Sequence, residues 1–162
     1  MPRGSRESGF TYVALLVAMF LLALSVNSVM GYVSQQAQRE REAELLRVGQ
    51  SYVDAIANYY QSSPGTVKTF PRSLLELTND PRWVTVKRHL REVYDDPITR
   101  SGKWGQVLTA EGTISGVYSL SEAAPIRSAP IILDNTRLPA AQHYSDWRFV
   151  FDPSQAMARR RP

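Results

Sequence analysis

The chain has no cysteine. That absence excludes disulfides, iron–sulfur clusters and thiol catalysis, and it leaves the compartment open, because small domains outside the cytoplasm fold without bridges. Histidine is scarce as well, with only His89 and His143. His89 stands in the basic run Lys87-Arg88-His89-Leu90-Arg91, which repels cations, and His143 lies in a loop-like stretch near Asp146. A Ser145, His143, Asp134 grouping has the residue types of a hydrolase. However, no Gly-x-Ser-x-Gly turn is present to expose the nucleophile. Asp95-Asp96 are neighbours in sequence and read as a turn before Pro97. These shortages point away from an enzyme. A one-sided charge is missing too. With Arg3, Arg6 and Glu7 set aside, 17 basic residues face 14 acidic ones, and Arg159-Arg160-Arg161 supplies the difference. A nucleic-acid reader needs a basic face, so no nucleic-acid partner is expected.

The longest absence is of charge itself, between Glu7 and Arg39. At ~1.5 Å per residue, a helix over 10–33 is roughly 36 Å long, against a hydrocarbon core of about 30 Å. Backbone amides in lipid have no water to bond, so such a run is expected to be helical. Arg3 and Arg6 precede it, which predicts a cytoplasmic N-terminus and a C-terminal part outside. A cleaved secretory signal is the competing reading, with Val26-Asn27-Ser28 as a weak cleavage site. Apolar character nevertheless resumes at Val29, Met30, Tyr32 and Val33. A plain signal anchor carrying a soluble binding module is the other.

Gly9-Phe10-Thr11-Tyr12, followed by Leu15-Leu16-Val17, resembles the prepilin leader of type IV pilins and type II secretion pseudopilins. The resemblance implies cleavage between Gly9 and Phe10 by a prepilin peptidase, with N-methylation of Phe10. It assigns filament assembly to Thr11, Tyr12, Ala14, Leu15 and Leu16. The family usually carries Glu where this chain has Ala14, and that carboxylate is thought to face the N-terminal amine of a neighbouring subunit. Subunits lacking it tend to be minor ones, including those at a filament tip. Gly31 falls where many pilins have a helix-weakening Pro, and a mid-helix Gly costs about 1 kcal/mol relative to Ala.

From Gln35 the sequence turns polar without a turn signal. Arg39 to Glu44 reads as a solvated helix surface, with Leu45, Val48, Tyr52, Ile56 and Tyr59 forming one apolar stripe before Ser62-Ser63-Pro64-Gly65. Short helices are predicted over 71–78 and 84–94. Strands are predicted over 104–109, 113–120, 131–133 and 146–151, the first two joined across Ala110-Glu111-Gly112. The Lys87 to Arg91 run, Tyr94, Asp96-Pro97 and the Arg39 to Leu46 segment are similar to the major-pseudopilin group. That similarity implies an α+β, pilin-like fold, in which a long N-terminal helix packs on a small antiparallel sheet. The expected organisation is a leader at 1–9, a transmembrane helix at 10–33 and its amphipathic continuation at 34–62. A periplasmic globular part follows at 63–153, then a basic, disordered tail at 154–162. Major pseudopilins hold a calcium ion, for which Asp134, Asn135, Asp146 and Asp152 are the oxygen-bearing candidates, although their spacing follows no motif. The partners implied are other pseudopilins or pilins, the peptidase, an inner-membrane assembly platform and membrane lipid. The function implied is that of a structural subunit of a periplasmic pseudopilus in protein secretion. A minor pilin of a type IV pilus is the nearest alternative. Replacing Gly9 by Ala is expected to leave a larger, untrimmed form in the membrane, visible as a band shift on immunoblots. Trimming identical to wild type would refute the leader assignment.

Overall fold

No proline interrupts the chain between Ser8 and Gln61, and the computed structural model has one helix, α1, over Ser8–Gln61. The structure describes residues 8–127, 129–133 and 136–154, without the side chains of 8–9 and 23–34. Helix α1 passes through Gly31 and stops just before Pro64. There the Ser62 amide donates to the Asn58 carbonyl at 3.0 Å, and Gly65 takes a left-handed φ of 80°. The chain divides into two compact units, Met1–Glu40 and Arg41–Pro162.

In the first unit, every described side chain from Phe10 to Leu22 is exposed, Phe10 at 77%. Among the described residues, no helix is long and apolar enough to cross a membrane. The described apolar side chains stop at Leu22, which is ~20 Å of helix from Phe10.

The second unit is mixed α and β, with a small antiparallel sheet. Its sheet order is β1 (Gly105–Leu108), β2 (Ile114–Tyr118), β5 (Arg148–Val150), with both neighbouring pairs antiparallel. The β1–β2 turn closes with the Gly112 amide on the Thr109 carbonyl at 3.0 Å, and Gly112 has the positive φ of 76° that this turn requires. A separate two-stranded pair joins β3 (Ile131–Ile132) to β4 (Arg137–Leu138). The predicted stripe of α1 is the centre of the core: Leu45, Val48, Tyr52, Ile56 and Tyr59 are all buried, along with Trp147, Phe149, Ile114 and Val117. Gly49 lies on the same face, and a Cβ placed there would overlap the ring of Phe149. The helix backbone thus meets β5 directly, because nothing projects between them.

Three expectations need correction. No helix forms over 84–94. The Asp80 amide donates to the Lys87 carbonyl at 2.9 Å, and the His89 and Leu90 amides both donate to the Leu77 carbonyl at 2.8 Å. Those cross-links, with β-branched Val84, Thr85 and Val86, hold the segment in an irregular, bent course in place of local i→i−4 bonding. The 71–78 helix shrinks to a 3-10 turn at Leu74–Leu77, in which Ser73 Oγ accepts from the Leu75 amide. Strand β4 and the 3-10 turn Tyr144–Asp146 were not foreseen, since two- and three-residue elements carry no periodicity.

Ala has a helix propensity about 1 kcal/mol better than Gly, so Gly49→Ala would stabilise α1 in isolation. In the folded chain the Phe149 ring is fully buried and has nowhere to retreat. The substitution is expected to destabilise by about 1–3 kcal/mol, read as a lower urea midpoint for unfolding of the second unit.

Candidate functional site

Ionisable groups buried in a small domain are where chemistry is first sought, and among its described residues the second unit buries three carboxylates: Glu42, Asp80 and Asp96. Each is saturated by its own chain. Glu42 projects from α1 and accepts from the Ile126 amide at 2.8 Å, the Arg127 amide at 3.3 Å and the Tyr144 hydroxyl at 3.0 Å. The Arg127 guanidinium lies 3.6 Å away. This corrects the reading of Arg39 to Glu44 as a solvated surface, for Glu42 is only 2% exposed. The signal was available: Glu42 precedes Leu45 by three residues and so extends the apolar stripe by one turn.

Asp96 begins the Asp-Pro turn and is fully buried. Its carboxylate accepts from the Ile98 amide at 2.9 Å, Thr99 Oγ1 at 2.9 Å and Ser119 Oγ at 2.7 Å. The Ser119 bond ties the turn to the residue just beyond β2.

Asp80 anchors the densest cluster. Its carboxylate accepts from Arg82 Nε at 2.8 Å and Nη2 at 2.7 Å, and it lies 3.1 Å from His89 Nε2. Arg82 also donates to the Tyr59 carbonyl at 2.9 Å and to Ser63 Oγ at 2.8 Å, with its guanidinium 3.5 Å from the centre of the Tyr59 ring. The end of α1 is therefore capped by a side chain 23 residues downstream. Burial pushes the Asp80 carboxyl up. Hydrogen bonds from the Arg82 side chain and amide and from His89 outweigh it and leave the pKa at about 2. Burial also raises the Tyr59 phenol, which donates to Glu76 at 2.7 Å. Burial raises the Tyr52 phenol to about 12, its hydroxyl donating to the Tyr94 carbonyl.

The residues that suggested a hydrolase do not converge in this way. His143 Nδ1 is 2.7 Å from the Glu122 carbonyl, and no Ser145–His143 side-chain bond occurs among the described residues. Asp134 lies outside the described residues. Of the calcium candidates, Asn135 lies outside them too. Asp146 accepts from the Gln142 and His143 amides at 3.2 and 3.0 Å, and Asp152 accepts from the amide and hydroxyl of Ser154 at 2.9 and 2.6 Å. No cluster of three metal-ligating residues occurs among the described residues.

At the other end of α1, Thr11, Tyr12, Ala14, Leu15 and Leu16 follow Phe10 as exposed residues on consecutive positions, so they surround the helix on all sides. Gly9 and Phe10 both lie within its first turn. What that segment can do is pack against lipid or against other helices, since a helix apolar all round has no aqueous face.

Asp80 provides a pH test. The folded pKa of about 2 lies below the ordinary 3.8, so its contribution is fully present above pH ~4 and lost as pH falls through about 2. That contribution is about 2 kcal/mol. Asp80→Asn is expected to lower stability at pH 7 by at least this much and to flatten the acid limb between pH 4 and 2, followed by urea midpoints across that range.

Comparison with protein families, with curated proteins and with solved structures returns no match to this chain.

Proposed function

We propose that the chain is a pseudopilin-like structural subunit of a periplasmic filament in a type II-like secretion system. One observation carries the reading. Phe10 to Leu22, uncharged and exposed throughout, form the leading part of a helix whose trailing part, Leu45 to Tyr59, is buried under a sheet. The leading part offers apolar surface in all directions and suits a bilayer before assembly and a helix bundle after it. The trailing part needs neither, because its own domain covers it.

In this reading a prepilin peptidase cuts between Gly9 and Phe10 and Phe10 is methylated. The helix over 10–33 spans the inner membrane with its N-terminus cytoplasmic, and an assembly platform adds the subunit to others of its kind. The work is mechanical: growth of the filament, driven by a separate ATPase, moves substrate outward. Ala14 favours a minor position in the filament. At that place a carboxylate would pair with the neighbour's amine, and a methyl leaves the amine without a counter-charge. The same feature is compatible with a minor pilin of a type IV pilus.

The absence of cysteine makes the test clean. Leu16→Cys, the sole thiol in the chain, is expected to give oxidatively linked pairs in membranes, together with a mature N-terminus at methylated Phe10 by mass spectrometry. A chain that keeps residues 1–9 and yields only monomer would instead be a signal-anchored binding module.

A further inference from the structure

The segment that the sequence predicts as a helix over 84–94 is displayed rather than packed. Val84 is fully exposed and Val86 is 66% exposed, while Trp83 is half-exposed beneath the Lys87 ammonium at 4.4 Å. The display is rigid. The amides of His89 and Leu90 are fixed on the Leu77 carbonyl, Leu90 is buried, and Asp80 holds both Arg82 and His89. Beside this segment lies an open depression of about 530 Å³ with Leu75, Val86 and Val93 as its apolar wall and Arg88, Arg91 and Glu92 as its charged rim.

Arg88 and Arg91 are two of several exposed arginines, with Arg39, Arg41, Arg72, Arg100 and Arg137, whose guanidiniums engage no carboxylate or ring among the described residues, and here a pair of them stands beside an apolar wall. Arg47, Arg82, Arg127 and Arg148 each engage a carboxylate or a ring within the chain. No hydrogen bond, ion pair or ring contact engages Arg88 or Arg91 among the described residues, and both are exposed. Two free guanidiniums against one carboxylate, Glu92, leave the rim net positive above an apolar floor.

We infer that this depression is a docking site for an acidic peptide segment of a partner protein, with an apolar side chain seated against Leu75, Val86 and Val93 and a carboxylate held by Arg88 and Arg91. Charge complementarity selects the occupant, because guanidinium pairs grip carboxylates through two parallel hydrogen bonds. Fixed backbone around the site lowers the ordering cost of binding. The inference goes beyond the filament reading and does not depend on leader processing.

The test uses the full chain in detergent micelles and follows tryptophan emission. Trp104 and Trp147 are buried, so the response reports Trp83. A synthetic peptide of alternating Leu and Glu is expected to shift the emission saturably, and one of alternating Leu and Lys is not. The double variant Arg88→Gln, Arg91→Gln is expected to bind about tenfold more weakly with an unchanged urea midpoint, since both side chains are in solvent. Val86→Ser provides an independent loss through the apolar wall. Four outcomes would overturn the inference: no saturable binding, equal binding of the Leu-Lys peptide, unaltered binding by the variants, or a response only to phosphatidylglycerol vesicles. A shift that follows protein concentration without peptide would likewise assign the surface to a second copy.

Discussion

The second half of α1 cannot be left wet, and the rest of the folded unit is arranged around that constraint. Leu45, Val48, Tyr52, Ile56 and Tyr59 together present a continuous apolar face, and burying each large side chain is worth about 1.5–3 kcal/mol. Three short strands supply the cover. They do so at close range because Gly49 on the helix and Gly116 in β2 both lack a side chain where Phe149 and its backbone approach. A sheet this small could not stand alone, as two or three strands need a hydrophobic partner surface. Helix and sheet therefore fold as one object.

Regular structure covers little of the chain between Gln61 and Asp152, so much of the order comes from elsewhere. Glu42, Asp80 and Asp96 provide it. Glu42 reaches residues 84 and 102 positions away, Asp96 holds Ser119 23 positions away, and Asp80 fixes Arg82, which reaches back 23 residues to Tyr59. A buried carboxylate with three or four donors is favourable only while all of them are present, since removing one leaves an uncompensated charge. These groups act as joints, holding long loops to the helix where ladders of backbone bonds do not. The same logic explains why an irregular segment such as 81–93 can be stiff.

Much of this was legible in the sequence, and the reasons for the rest are specific. The helix and its stripe could be read from a spacing of three and four residues, and the β1–β2 hairpin from alternating residues around Gly112. The failure at 84–94 came from tertiary competition: carbonyls of Leu77 and Lys87 outbid local helix formation, and no periodicity encodes that. Glu42 was misplaced because a charged residue was assumed to face water, although its position relative to Leu45 put it on the inner face. Nothing in the linear pattern marks Asp80 and Arg82 as a buried pair. Their pairing with Tyr59 and His89 depends on contacts that a linear reading does not expose. The N-terminal segment is the reverse case, where chemistry is written in the sequence and the described side chains from Phe10 to Leu22 are exposed.

Helices usually fray first at their ends, where carbonyls lose their partners. Arg82 removes that weakness at one terminus of α1, its Nη2 donating to both the Tyr59 carbonyl and Asp80 while Nε holds Asp80 and Nη1 holds Ser63. Unwinding from there would require pulling apart a shielded ion pair and peeling a cation from an aromatic face in the same motion. A helix terminated in this manner resists unwinding from its C-terminal end, because release of one carbonyl is tied to release of the ion pair.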